Sequence, residues 1–240
     1  MSDRGAILSD VDTLQRVREA WADLIGVSHL ERVQVVVSPD SPLCPKGWIG
    51  VLGLADSVTA TVPRESLKGA LEQALSRLTA EQAMSPQALL PYLPTTNEVL
   101  GPASLFYPDE FAPASGQTEV EEVAVDELAP LLHDAPLEDV VESGISELSG
   151  TAFVTRAADG TLVAACGYRA WPNGVAHLGV LTVPHHRREG LGQRVATAAI
   201  LRALTDGLLP QWRARLVESQ ALAASLGLVK FGAQLSVRPT

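Results

Sequence analysis

Hydrophobic and polar positions along the 240 residues fall into two series of elements. From Asp10 to Gly26, Val11, Leu14, Val17, Trp21, Leu24 and Ile25 recur at helical spacing and predict a helix. Arg32–Val37 and Trp48–Leu54 predict strands, separated by the turn-rich Ser38-Pro39-Asp40-Ser41-Pro42, and Ser57–Val62 alternates as a third. The stripe Leu67, Ala70, Leu71, Ala74, Leu75 and Leu78 predicts one helix over Ser66–Met84. Pro102–Gln117 is dense in Pro, Ala, Ser and Gly and reads as a linker. It divides the chain into a small α+β domain, 1–116, and a second domain, 117–240. Trp21, Trp48 and His29 in the first half read as packing residues.

Beyond the linker the elements come faster. Glu119–Val125 predicts a strand, and Asp126–His133 and Leu137–Leu148 two acid-rich helices. Ala152–Arg156 and Thr161–Tyr168 form a hairpin across Ala158-Asp159-Gly160, and Val175–Val183 is an apolar strand. A helix from about Gly190 to Asp206 stops at Gly207. A strand near Trp212–Val217, a helix over Ser219–Leu226 and a strand over Val229–Val237 close the chain. The order is β-α-α-β-β-β-α-β-α-β, a mixed α+β class.

Composition narrows the function. With 46% hydrophobic and 19% charged residues the chain is globular, with a core. Val195–Leu209, its most apolar stretch, is short and carries Arg202 and Asp206, so no membrane span is expected. Met1-Ser-Asp-Arg does not open a secretory signal, and a cytoplasmic location is expected. Cys44 and Cys166 suggest neither a disulfide framework nor a metal site. A net charge of −10 argues against a nucleic-acid partner. Residues 119–150 carry 10 acidic and no basic groups, whereas 151–240 carry 4 acidic and 10 basic. That field suits a polyanion at the basic end and a cation near the acidic stretch. The acidic stretch also reads simply as a solvated helical face.

The segment Val180-Leu-Thr-Val-Pro-His-His-Arg-Arg-Glu-Gly-Leu-Gly-Gln turns from a buried strand into a helix with two glycines at its start. A helix's first turn presents unpaired N–H groups and the positive end of its dipole, and glycines let a phosphate approach. Arg187 and Arg188 add charge. Neither Gly-x-Gly-x-x-Gly nor Gly-Lys-Ser/Thr is present, which excludes the dinucleotide and nucleoside-triphosphate loops. Close helix–sheet packing is the structural alternative.

Arg187-x-x-Gly190-x-Gly192 after Thr-Val-Pro resembles the cofactor motif of the GNAT superfamily of N-acetyltransferases. The element order over 119–240 and the Leu-Gly-Leu-Val-Lys-Phe-Gly ending are similar to that fold. Gly-Val-Leu-Thr-x-Pro, with Gly-Leu-Leu-Pro-Gln-Trp-Arg-Ala downstream, further resembles bacterial members with an extra N-terminal region. The resemblance implies an acetyl-CoA co-substrate, an amine-bearing acceptor and no metal. Its pantetheine arm would pair with the backbone of Val180 and Thr182, as an added strand does. Its pyrophosphate would rest on Arg187, Arg188, Glu189, Gly190, Leu191, Gly192 and Gln193. A strand N–H would hold the oxyanion.

The catalytic residues depart from the family's pattern. Where many members carry a Tyr acid this chain has Ala223, and where an Asn is usual it has Leu216. A thiol of pKa about 8.5 leaves without strong acid help, and water or Ser219 would serve. His177 is the candidate base, on the strand feeding the loop, its alternative being a satisfied core histidine. Glu142 and Glu147 are candidates for a cationic amine. His185 and His186 read as solvent-facing or phosphate-near, and Cys166 as a small buried residue. Two functional readings stay open, an N-acetyltransferase and a non-catalytic acyl-CoA-binding module. The first half reads as a degenerate copy of the same fold or as a dimerisation or substrate domain, compatible with a homodimer.

Overall fold

The computed structural model describes residues 10–93, 96–109 and 120–240. These pack as two compact units. One holds the described residues of Tyr107–Arg213 and Ala221–Val229, and the other those of Leu8–Phe106, Ala214–Gln220 and Lys230–Thr240. The boundary expected between residues 116 and 117 lies outside the described residues. Both units are mixed α+β.

The second of these units begins with α1 (Asp10–Ile25), which buries Val17, Trp21, Ala22 and Ile25. Strands β1 (Val33–Val37), β2 (Ile49–Leu54) and β3 (Ser57–Val62) follow. With β4 (Thr96–Pro108) and β10 (Leu228–Pro239) they lie in the order β1-β3-β2-β10-β4. β1 runs parallel to β3, and β2 antiparallel to both β3 and β10. Alternation sends Val35, Ile49, Val51, Val58, Ala60, Val62, Leu235 and Val237 to one face, under Leu71, Ala74 and Leu75 of α2 (Lys68–Leu75). The single helix expected over Ser66–Met84 is broken. Thr79 accepts the Gln82 amide while the Gln82 side chain accepts the Thr79 amide, and this capping box starts α3 (Ala80–Ala83), followed by α4 (Pro86–Leu89). The apolar stripe hid the local cap. The expected linker is corrected over residues 102–108, which complete β4, and its residues 110–117 lie outside the described residues. His29, expected to pack, is exposed beside Ser28.

The other unit contains β5 (Glu121–Ala124), α5 (Ala129–Asp134), α6 (Leu137–Ser143), β6 (Thr151–Arg156), β7 (Leu162–Ala170) and β8 (Val175–Thr182). It continues with α7 (Leu191–Thr205), β9 (Leu209–Ala214) and α8 (Val217–Ser225), the latter's residues from Ala221 on belonging here. Strand order is β9-β8-β7-β6-β5, antiparallel except for parallel β8 and β9. One face carries α7, whose buried Val195, Ala196, Ala199, Ile200 and Ala203 follow helical spacing. Its three alanines let the helix lie close. Gly207, at φ +75°, ends it with Leu208 N–H bonding Ala203 C=O at 2.9 Å. The other face packs Leu131, Val140 and Ile145 on Ala152, Val154, Ala165 and Leu181. Among the described residues no helix is long and apolar enough to cross a membrane.

One contact fixes α6 on this sheet. Gly167 and Gly179 face each other across β7 and β8. A Cβ on Gly179 would stand 3.0 Å from Ser143 O and 3.1 Å from Gly144 C, and one on Gly167 would stand 3.0 Å from Leu148 Cδ1 and Thr151 O. The backbone after α6 therefore rests directly on the strands, possible only where side chains are missing. Gly179→Val must displace backbone rather than a flexible side chain. It is expected to lower stability by about 1–3 kcal/mol, measured as a shift of the urea midpoint. An unchanged midpoint would contradict this packing.

Candidate functional site

The turn from β8 into α7 is built by backbone conformation. Arg188 (φ +69°) and Gly190 (φ +77°) are both left-handed, and Gly190 is the N-cap of α7. Glycine accepts this freely, whereas Arg188 holds it at a cost of about 1 kcal/mol. The first helical hydrogen bond of this end is Arg194 N–H to Gly190 C=O, 3.2 Å. Among the described residues, the amides of Arg188, Glu189, Gly190, Leu191, Gly192 and Gln193 have no protein acceptor. They form a concave set of donors at the positive end of a 15-residue helix. A Cβ on Gly192 would come within 3.2 Å of Thr182 Oγ1 and 3.4 Å of Leu222 Cδ2, so this glycine seats α7 against β8 and α8. Gln193 Nε2 donates to Ser225 O at 3.2 Å and ties the same two helices. Such a donor cradle fits a pyrophosphate.

The two loop arginines differ. Arg187, although exposed, is engaged by the protein, its Nε donating to Thr182 O at 3.1 Å and its Nη2 pairing with Asp139 at 2.6 Å. It braces α6 against the end of β8. Arg188 is exposed, as are Glu189 and His185, and His186 Nδ1 lies 3.4 Å from Glu189 Oε2. Val183, Pro184, His185 and His186 also edge a cavity of about 520 Å³ with Asp134, Pro136 and Asp159. Among the described residues no three His, Cys, Asp or Glu side chains are placed to hold a metal ion.

Below the loop the sheet opens. β8 and β9 are paired only at Val175–Leu209, Ala176–Pro210 and His177–Gln211. On the other side β8 keeps its antiparallel register with β7 as far as Thr182. Val183 N–H bonds Val163 O, and Trp171 N–H bonds Val175 O. Odd-numbered residues of β8 thus turn their backbone groups to β7, and even-numbered ones turn theirs to the β9 side. Val180 and Thr182, singled out from the sequence, are even-numbered. They present backbone groups where β9 has departed, with Thr182 O taken by Arg187. A chain of alternating donors and acceptors can add here as a strand would.

His177 marks the base of the opening. Its ring stacks on Trp171, centroids 5.0 Å apart and planes at 25°. Its Nδ1 lies 3.0 Å from Gln211 Oε1, and Gln211 Nε2 donates to Tyr107 Oη at 2.8 Å. Burial first, then the nearby positive charge of Arg213 and Arg169, pushes its pKa down to about 4, against the pull of Gln211. The ring is neutral at physiological pH and a weaker base than the free imidazole expected from sequence. Cys166 is wholly buried, and burial pushes its thiol up, so it is an inert packing residue.

The remaining candidates are less concentrated. Glu147 pairs with Arg169 at 3.3 Å, directly beside His177 in register, and Glu142 sits in the last turn of α6. Ser219 lies in the first turn of α8, in the segment grouped with the other unit. Ala223 is completely buried and Leu216 half-exposed. Sequence reasoning missed Gln211, Tyr107, Trp171 and Asp139. The available signal was Gln211, a polar residue inside the apolar run Leu208-Leu-Pro-Gln-Trp.

The mixed sheet thus parts between two parallel strands, and the opening is continuous with a glycine-lined helix start. Residues 145–232 match the family model of GNAT acetyltransferases, and the resemblance drawn from the loop holds over that stretch. Among solved structures, a GNAT-family acetyltransferase from Colwellia psychrerythraea is 16% identical over 63% of this chain and 59% of its own, TM-score 0.48. A GNAT-family protein from Novosphingobium aromaticivorans is 21% identical over 60% and 65%, TM-score 0.46. An aminoglycoside 6'-N-acetyltransferase from Acinetobacter baumannii is 18% identical over 47% and 91%, TM-score 0.35. The chain thus spans about three fifths of the length of the first two. No curated protein matches it.

The lowered pKa of His177 has a consequence for stability. An unfolded imidazole takes its proton near pH 6.5, the folded one only near pH 4. Between these values the unfolded chain binds more protons, so this group's contribution to stability falls as pH drops from 6.5 towards 4. Urea denaturation at pH 7 and pH 5 should therefore show a larger loss for the wild type than for His177→Gln. Equal losses would place the ring in a solvent-like setting.

Proposed function

We propose that this chain transfers an acetyl group from acetyl-CoA to a primary amine by direct attack within a ternary complex. The observation that carries the reading is the continuity of two features. Free backbone groups on β8 run from the base of the opening into the donor cradle at Arg188–Gln193. A pyrophosphate on the cradle and a pantetheine arm along Val180 and Thr182 would bring a thioester towards His177. The amine nitrogen forms its bond to the acyl carbon, and the carbon–sulfur bond breaks. The proton shed by nitrogen ends on the CoA thiol. An N–H of the open β8 edge would stabilise the oxyanion. His177, neutral at working pH, would accept a hydrogen bond from the amine and pass its proton onward, with water beside the departing thiolate. Glu142, Glu147 and the acidic α5–α6 stretch would draw in a cationic acceptor. The protein would work in the cytoplasm, as a monomer or homodimer.

A second reading, an acyl-CoA-binding module without turnover, draws on Ala223, buried where many GNAT members carry an acid. Release of free thiol from acetyl-CoA over a panel of primary amines separates the two. Acceptor-dependent release supports the enzyme, and tight binding without release across the panel supports the module. Two variants test the cradle itself. Gly190→Glu places a carboxylate on a left-handed residue amid the donors and should weaken CoA binding at least about tenfold, or about 1.4 kcal/mol. Arg188→Gly removes charge but relieves a left-handed backbone, so its thermal midpoint should hold or rise while CoA affinity falls. Wild-type affinity in both variants would contradict the cofactor assignment.

A further inference from the structure

We infer that Gln211 is a positioning residue that fixes which nitrogen of His177 carries the proton, with Tyr107 fixing Gln211 in turn. The inference builds on the proposed role of His177, but its test does not require turnover. Gln211 is 1% exposed and Tyr107 fully buried, so neither side chain can satisfy its polar atoms with bulk water. Gln211 Nε2 donates to Tyr107 Oη at 2.8 Å, and its Oε1 faces His177 Nδ1 at 3.0 Å. An amide oxygen can only accept, so Nδ1 of the neutral ring must be the protonated nitrogen. Nε2 is then left with its lone pair.

Backbone geometry holds the pair in place. His177 and Gln211 are the last registered partners of β8 and β9, so the side-chain bond forms at the point from which the strands part. The Trp171 ring stacks on the imidazole and limits its rotation. Charged groups around the ring are Arg169, opposite on β7 and paired with Glu147, and Arg213, two residues past Gln211 on β9. Both arginines oppose a second proton on the ring. The surroundings thus hold a neutral imidazole, and Gln211 selects its tautomer. A lone pair on Nε2 is what an amine N–H needs as acceptor; the other tautomer would meet it with a second donor.

The direct experiment is a long-range nitrogen–proton NMR correlation on ring-labelled wild-type protein at pH 7. The expected result is a protonated Nδ1 and an unprotonated Nε2 for His177. A protonated Nε2 would overturn the inference, since the relay would then run from Tyr107 through the amide in the opposite sense. Gln211→Glu supplies the second arm. A carboxylate beside Nδ1–H should raise the His177 midpoint by about 1–3 pH units, followed through its ring proton shift. Should that variant not fold, Tyr107→Phe, which frees the amide to turn, should convert part of His177 to the other tautomer. A variant that folds and leaves the imidazole unchanged would also overturn the inference. If the tautomer and midpoint respond as expected while the acid limb of the rate does not follow, Gln211 still positions His177 and only the catalytic reading of His177 fails.

Discussion

Everything distinctive in this site follows from the short register between β8 and β9. Three residue pairs hold the parallel strands together, after which β9 leaves and β8 continues with β7 alone. In an intact sheet the groups of Val180 and Thr182 would be spent on a neighbouring strand. Here those of Val180 and the N–H of Thr182 stay available, Thr182 O being held by Arg187, and their alternation is fixed by the bonds of odd-numbered residues to β7. The same parting gives the upper end of β8 a different neighbour. Gly192 and Gln193 bring α7 against Thr182 and α8, so the helix start and the open edge form one continuous surface.

An opening of this kind requires support from the faces of the sheet. Gly167 and Gly179 supply it on one side by letting the turn after α6 rest on backbone. Arg187 supplies it again at the strand's end, bonding Thr182 O and Asp139 of α6. Its engagement changes the division of labour suggested by the motif, in which both arginines faced phosphate. In the proposed complex Arg188 and the backbone donors would face the phosphates, while Arg187 holds the strand to which they are attached.

How much could be read from the chain depended on how local the cause was. The loop, the helix behind it, the hairpin and the order of the last ten elements were all legible, because turn glycines and apolar periodicity act within a few residues. The break at Thr79 was also local, but the apolar stripe across it dominated. Strand β4 was misread as a linker because Pro102, Pro108 and the small residues between them carry turn chemistry, while its pairing is long-range. The relay from Tyr107 to His177 was not legible at all, since its members lie 104 and 34 residues apart. The pKa of His177 was lost for the same reason. A strand histidine has an ordinary pKa until the fold buries it and brings Arg213 and Arg169, from two other strands, beside it.

The central claim is that one continuous set of backbone donors, on the open edge of β8 and at the start of α7, receives an acyl-CoA. Residue-resolved amide hydrogen exchange with and without CoA tests it most directly. New protection is expected at Val180 and Thr182 and across Arg188–Gln193, with Gly179 and Leu181, already bonded to β7, unchanged. Protection confined to odd-numbered β8 residues, or unchanged exchange throughout β8 and the loop at saturating CoA, would contradict it.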